Sequence, residues 1–298
     1  AILLVSAEGA EGEARMISVP QLILASTAAA AIMGVATSYA LSGLYTAINR
    51  RRKAAPVVKG TQGDNHYTLA PSAKAKFIAQ HYKWYGPKFS PKDVPRFYDM
   101  ASLTENAAVF SCVIDILAER YRSAGRGGPT HIAGYDARGF ALGAPLALAL
   151  GVPFVLFRKD RKSPGLLVES GTYEKEYTEA HAEQMCLRVG CVKPGDRVVL
   201  VDDLIATGGT AVAGMECVEA LGAEVYEFMA VVGLPSLDGI QRIRSYKGGV
   251  FAKVPVFTLL DDDLIGEGNC ADPKAWKEPT RVISGKIAER ARVQFGLS

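Results

Sequence analysis

The stretch Val198–Ala211, VVLVDDLIATGGTA, decides the fold. With Arg197 it opens on RVVLV, an apolar and largely β-branched run of the kind buried on both faces of a parallel sheet. The run ends in two adjacent carboxylates, Asp202 and Asp203. A short loop with Thr207, Gly208, Gly209 and Thr210 follows, and the pattern then predicts a helix over Thr210–Leu221, closed by Gly222. Glycines let a backbone turn its N–H groups inward, a helix N-terminus adds positive dipole, and two hydroxyls add donors, which together make a phosphate cradle. Carboxylates cannot hold phosphate. They suit sugar hydroxyls, or they offset positive charge developing on a sugar ring. A plain strand-to-helix turn, with glycine for geometry and threonine as N-cap, is the competing reading. The strand, paired acids, TGGT and helix in that order favour the cradle.

Outward from this core, four more apolar runs predict strands: Thr130–Asp136, Pro153–Phe157, Glu224–Val232 and Val254–Leu260. A helix is predicted over Gly139–Leu150, stopped by Gly151. Strands alternating with helices imply an α/β fold, a mostly parallel central sheet flanked by helices. Ligands of such sheets lie at the carboxyl ends of the strands, here just after Asp136, Phe157 and Val201.

Three further segments carry chemistry. YDARGF (135–140) places Asp136, Ala137 and Arg138 before a helix, where the arginine fork suits phosphate oxygens, although Asp beside Arg is also a common surface pair. FRKDRKSPG (157–165) puts Arg158, Lys159, Arg161 and Lys162 within five residues, cations suited to a highly charged leaving group or, alternatively, a solvated loop. Residues 163–185 lack an apolar period and contain TYEKEYTEAH, a polar stretch expected to form a mobile lid. Read alone, it could equally be a solvated helix.

From about residue 75 onward the chain resembles the type I phosphoribosyltransferases, and within them the adenine enzymes. DDLIATGGT is similar to their motif for 5-phosphoribosyl 1-pyrophosphate (PRPP), where hypoxanthine-guanine enzymes usually carry Glu-Asp. WYGPKFSPKDVPRF (84–97) and the long tail after Leu260 look most like the kinetoplastid form. The resemblance implies the type I fold, with a small hood and a mobile catalytic loop. It implies transfer of phosphoribose from PRPP to adenine, giving AMP and pyrophosphate, with Mg²⁺ carried by PRPP rather than by a protein cage, in a homodimer. It further implies that Ala206, Thr207, Gly208, Gly209 and Thr210 hold the 5′-phosphate and that Asp202 and Asp203 hold the ribose hydroxyls. Asp136, Ala137, Arg138, Arg158, Lys159 and Lys162 would face pyrophosphate, with a cis peptide between Asp136 and Ala137. Phe97 and Leu204 would sandwich the base, while the backbone of Val94 and Arg96 reads its edge. Glu176, followed by Tyr177 in the lid, would be the general acid–base, with Arg138 beside it in the catalytic set. Asp160 departs from the pattern in detail. Another acceptor base, or a non-catalytic nucleotide sensor on the same fold, are the alternatives.

The first 64 residues lie outside the resemblance. No charged residue occurs between Arg15 and Arg50, and residues 20–48 are long enough to cross a bilayer as a helix before the cationic cluster Arg50–Lys53. The run is rich in Ala, Ser, Thr and Gly, so three readings stand: a membrane anchor, an organelle-targeting segment, or neither. The organisation expected is an N-terminal segment (1–15), a hydrophobic helix (16–49), a basic linker (50–64) and a catalytic domain (65–298) placed in the cytoplasm. The net charge of +3 over 298 residues argues against a nucleic-acid-coating polycation. Five widely spaced cysteines exclude a disulfide scaffold, and the four histidines have no metal spacing.

Overall fold

The computed structural model describes residues 58–61, 65–89, 94–159, 161–171, 184–272, 277 and 280. The chain divides into two units, Ala1–Ala54 and Ala55–Ser298. The apolar run at 20–48 lies outside the described residues. Among the described residues no helix is long and apolar enough to cross a membrane.

In chain order the strands are β1 (Val58–Thr61), β2 (His66–Leu69), β3 (Lys83–Tyr85), β4 (Phe97–Asp99), β5 (His131–Tyr135), β6 (Phe154–Lys159), β7 (Leu167–Glu169), β8 (Met185–Arg188), β9 (Arg197–Val201), β10 (Leu204–Ile205), β11 (Glu224–Ala230), β12 (Val232–Gly233) and β13 (Val256–Thr258). The helices are α1 (Ala73–His81), α2 (Ala101–Thr104), α3 (Ala107–Ser123), α4 (Arg138–Leu150), α5 (Gly209–Ala220) and α6 (Gly239–Ser245). One nine-stranded sheet runs β1-β2-β13-β11-β9-β5-β6-β8-β7. Its middle, from β2 to β6, is parallel throughout, and both flanks are antiparallel. The α/β architecture and the mostly parallel sheet expected from the strand–helix alternation are therefore present. β1 falls inside the stretch 50–64 read as linker. Its four residues gain order by pairing with β2 and have no alternation that marks them in sequence.

The strand RVVLV is central, paired with β5 on one side and β11 on the other. Its side chains alternate between two buried layers. Val199 and Val201 join Ile132, Met229 and Phe257 on the side of α3 and α4. Val198 and Leu200 join Ala133, Phe228 and Val256 on the side of α5. Both faces are covered, which is why the strand is apolar at every position rather than at every second one. Asn106 caps α3 by accepting from the N–H groups of Ala108 and Val109.

Among the described residues of this sheet's strands, the buried carboxylate is Glu227. Glu227 of β11 is buried and accepts from Arg120 Nε (2.9 Å), Arg120 Nη2 (2.5 Å) and the Tyr121 hydroxyl (2.8 Å). The guanidinium also lies 4.2 Å from the ring centre of Phe257. Truncating one member of such a pair leaves the other charge without its partner. Glu227→Ala is expected to cost about 3 kcal/mol, the low end for a buried pair because Arg120 keeps some solvent contact. Urea denaturation checks this, and a loss under about 1 kcal/mol would show that water replaces the carboxylate.

Candidate active site at the carboxyl ends of the central strands

At the carboxyl end of β9 the chain turns sharply. The Asp203 N–H donates to Asp202 Oδ1 (2.9 Å), and the Asp203 carbonyl accepts from the N–H groups of Val231 and Val232. Leu204 and Ile205 then form β10 beside β12. The loop Ala206–Thr207–Gly208 delivers the chain to α5 at Gly209. Gly208 has φ +77°, a conformation that only glycine adopts at no steric cost. It packs against Gly239, the first residue of α6. A methyl group at Gly208 would overlap the Gly239 carbonyl, and one at Gly239 would overlap the Ala206 carbonyl. At Gly208 and Gly239 the cradle is therefore held by close backbone-to-backbone contact. Sequence reasoning missed Gly239, because thirty positions separate it from the loop and nothing local marks it.

The loop forms one wall of a cavity of about 290 Å³. Ala206, Thr207, Gly208, Gly209 and Thr210 line it, together with Asp203, Leu204, Arg138, Val94, Arg96 and Phe97. Tyr98, Ile205 and Leu234 line it as well and were not anticipated. Arg138 opens α4, with its Nη1 at 3.0 Å from Asp203 Oδ2 and its guanidinium 5.4 Å from the centre of the Phe97 ring. The Asp136–Ala137 peptide bond is cis, at the place the resemblance implied. Asp136 forms an ion pair with Arg158 Nε of β6 at 3.2 Å. Lys159, the next residue of β6, acts electrostatically on Asp202, and Lys162 donates its backbone N–H to the Lys159 carbonyl. The loop Ala206–Thr210, Asp203, Arg138 and the expected base residues Val94, Arg96, Phe97 and Leu204 thus line one cavity, whereas Asp202, Asp136, Ala137, Arg158, Lys159 and Lys162 are not among its lining.

Arg96 is divided between two tasks. Its guanidinium points into the segment Asp262–Glu267, which leaves only the rest of the residue for the cavity wall. Glu176 and Tyr177 lie outside the described residues, but the ends of their segment do not. Ser170 N–H donates to the Met185 carbonyl (2.8 Å), and Met185 N–H donates to Ser170 Oγ (3.0 Å). Gly171 N–H donates to Glu216 of α5 (3.0 Å). Residues 171 and 184 therefore flank a closed pairing next to the helix that starts at the cradle.

Burial and the adjacent Asp203 charge hold the Asp202 carboxyl well above the ordinary carboxylate range, with Lys159 pulling the other way. Among the described residues no group of three or more His, Cys, Asp or Glu side chains could hold a metal ion.

Residues 99–255 match the model of the phosphoribosyl transferase domain family. The chain is 47% identical over 166 residues to the adenine phosphoribosyltransferase of Albidiferax ferrireducens, an alignment covering 56% of this chain and 80% of that protein. It is similar in structure to the adenine phosphoribosyltransferase of Trypanosoma brucei solved with AMP, pyrophosphate and ribose-5-phosphate, with 40% identity, a TM-score of 0.73, and coverage of 80% of this chain and 100% of that one. The Leishmania donovani enzyme gives 40% identity and a TM-score of 0.72, over 78% and 99% of the two chains.

The raised Asp202 carboxyl has a consequence for stability. In an unfolded chain an aspartate ionises near pH 4 (about 3.9). The folded chain keeps the proton to higher pH, so the stability linked to it is full below about pH 4 and is lost as pH rises through the folded value. Asp202→Asn is thus expected to raise the melting temperature of the ligand-free protein more at pH 7 than at pH 4. Equal shifts at the two pH values would show that Asp202 ionises in the ordinary range.

Proposed function

This chain belongs to the phosphoribosyl transferase family, among its adenine phosphoribosyltransferases, and from that membership we propose how its site works. The reaction joins adenine to the phosphoribosyl group of PRPP, giving AMP and pyrophosphate in purine salvage. The observation that carries the assignment of roles is the cavity itself. In it a glycine cradle at a helix N-terminus, the Asp203 carboxylate with Arg138, and the apolar side chains of Phe97 and Leu204 meet within about 290 Å³.

The 5′-phosphate is bound by the backbone N–H groups of the Ala206–Thr210 loop and by the threonine hydroxyls, in the positive field of α5. Asp202 and Asp203 accept from the ribose hydroxyls and offset the positive charge that develops on the ring as the bond to pyrophosphate loosens. Phe97 and Leu204 hold the base between them. The backbone of Val94 and Arg96 reads its edge, in a hydrogen-bond pattern that accepts an amino donor and disfavours a carbonyl at the same place.

Arg138 has two alternative partners. Without ligand it neutralises Asp203; with PRPP bound it turns to the pyrophosphate oxygens, and the ribose hydroxyls take its place at the acid. Arg158, Lys159 and Lys162 complete the cationic side on which pyrophosphate departs. Glu176 handles the proton of the imidazole side of adenine, and the pairing of Ser170 with Met185 roots its segment beside the cradle. The donor set fits a divalent ion that arrives with its ligand: two carboxylates on one loop, suited to holding sugar hydroxyls around it. Mg²⁺, when bound with PRPP, supplies charge neutralisation of the pyrophosphate. A homodimer is supported by Leu148 of α4 and Leu156 of β6, apolar side chains that are 79% and 45% exposed on adjoining elements.

The full chain with PRPP and Mg²⁺ should release pyrophosphate with adenine and not with hypoxanthine, guanine or orotate. Arg138→Ala is expected to lower kcat about 100-fold, as expected for loss of a donor to the leaving group. Glu176→Gln is expected to lower it by about 10² to 10⁴. Release that survives Glu176→Gln would remove that residue from its role. PRPP binding with no turnover on any base would replace the transferase with a sensor.

A further inference from the structure

The matched family segment ends at residue 255 and begins at residue 99. The hood strands β3 and most of β4 precede it, and the segment Asp262–Asp272 follows it. These two outlying parts are bound to each other. Trp84 of β3 donates Nε1–H to the Gly266 carbonyl (3.2 Å), and its own carbonyl accepts from the Ala271 N–H (2.8 Å). Asn269 donates to the carbonyls of Ala79 (2.7 Å) and Tyr82 (2.8 Å) at the end of α1.

The tie closest to the cavity is made by Arg96. Its Nη1 donates to the Ile265 carbonyl (2.9 Å) and to Asp262 Oδ1 (3.4 Å), and its Nη2 donates to Glu267 Oε1 (2.8 Å). The guanidinium lies 5.0 Å from the centre of the Trp84 ring. Asp262 also accepts from the hydroxyl of Tyr98, which lines the cavity. Val94–Arg96 itself belongs to no strand; β4 begins only at Phe97. Its position beside the cavity therefore depends on what anchors its side chains, and Arg96 is held by the tail segment together with the Tyr98 hydroxyl (3.4 Å) and the Trp84 ring.

We propose that Asp262 and the Ile265 carbonyl, acting through Arg96, are positioning groups that set the register of the base-reading backbone, and so determine affinity for the base and its discrimination. The proposal rests on the reading above that this backbone faces the base. Hydrogen bonds discriminate only when donor and acceptor are held at bonding distance, so a displaced strand end loses affinity for adenine and rejection of hypoxanthine together. The hydrogen bonds of Arg96 run to Tyr98 and the tail, not to the phosphate cradle on β9, α5 and α6. Glu267 is 80% exposed at its side chain and contributes least.

The test compares Asp262→Ala, Glu267→Ala and Phe97→Ala in the full chain, with KM measured separately for adenine and PRPP. Asp262→Ala should raise the adenine KM about tenfold and leave that for PRPP within about twofold, through loss of the ties to Arg96 and to the Tyr98 hydroxyl. The preference for adenine over hypoxanthine should fall by a similar factor. Glu267→Ala should change the adenine KM by less than about twofold. Asp262→Asn, which keeps an acceptor, should recover part of the loss. An unchanged adenine KM in Asp262→Ala, with the expected rise in Phe97→Ala, overturns the brace alone. No rise in either variant overturns the placement of the base itself. Equal rises in both KM values would make Asp262 a general support and also overturn the proposal. If Asp262→Ala loses its cooperative melting, Arg96→Lys carries the same test: it keeps the charge but loses the fork that spans Asp262, Ile265 and Glu267, and the same split in KM is required of it.

Discussion

Two carboxylates at the end of a strand buried on both faces are the constraint to which the rest of this molecule answers. A charged group taken from water costs several kcal/mol unless it is paired and hydrogen-bonded. Asp203 is 6% exposed and meets that cost with Arg138. Asp202 accepts the Asp203 N–H and stays above the usual carboxylate range. The two acids thus rest in different states. Asp203 is paired with Arg138, whereas burial and the neighbouring Asp203 charge raise the Asp202 carboxyl.

The strand can carry that pair only because backbones approach one another closely around it. At Gly139, the second residue of α4, a methyl group would overlap the Val201 carbonyl, and at Gly239 one would overlap the Ala206 carbonyl. The loop after β5 and the loop after β9 are consequently set by main-chain contact, which tolerates no side chain and little movement. Rigid placement of this kind suits a transition state whose charge is spread over a sugar ring and a departing pyrophosphate, since preorganised dipoles need no rearrangement as the bond breaks.

Much of this was legible in the residues. RVVLV forms a strand over the expected positions, and α5 and α4 begin one residue before their expected starts, because the glycines that end the loops already have helical neighbours. Glu224–Val232 reads as a single strand but is two. The Asp203 carbonyl accepts from Val231 and Val232, and this pulls the chain out of the sheet after Ala230 to meet β10. Nothing in an apolar run announces a partner contributed by a distant turn. The same holds for the three-residue strands β3 and β4, too short to show a period, and for Gly239. The resemblance located Arg96 in the site but could not show that its side chain serves elsewhere, because that depends on Asp262 and Ile265, more than 160 positions away.

The separation of these parts follows the division of the chemistry. The pieces proposed to handle phosphate and the sugar lie on β9, β5, β6 and the helices that follow them, within the segment that matches the family as a whole. A phosphoribosyl donor presents the same phosphates and hydroxyls whatever base accepts it, so this part has no reason to vary with the acceptor. The proposed base pocket is lined by Val94, Arg96, Phe97 and Tyr98, and these are tied to α1, β3 and the tail, which are joined through Trp84, Arg96 and Asn269. Base recognition through a main-chain edge demands this. A side chain can be exchanged to suit a new ligand, but a backbone edge offers the same groups in every sequence, and its selectivity lies entirely in where it is held. A chain that reads its base with main-chain groups must place its specificity in the anchors of that main chain, and the anchors proposed here, Arg96 with Asp262 and Ile265, stand outside the segment that matches the family.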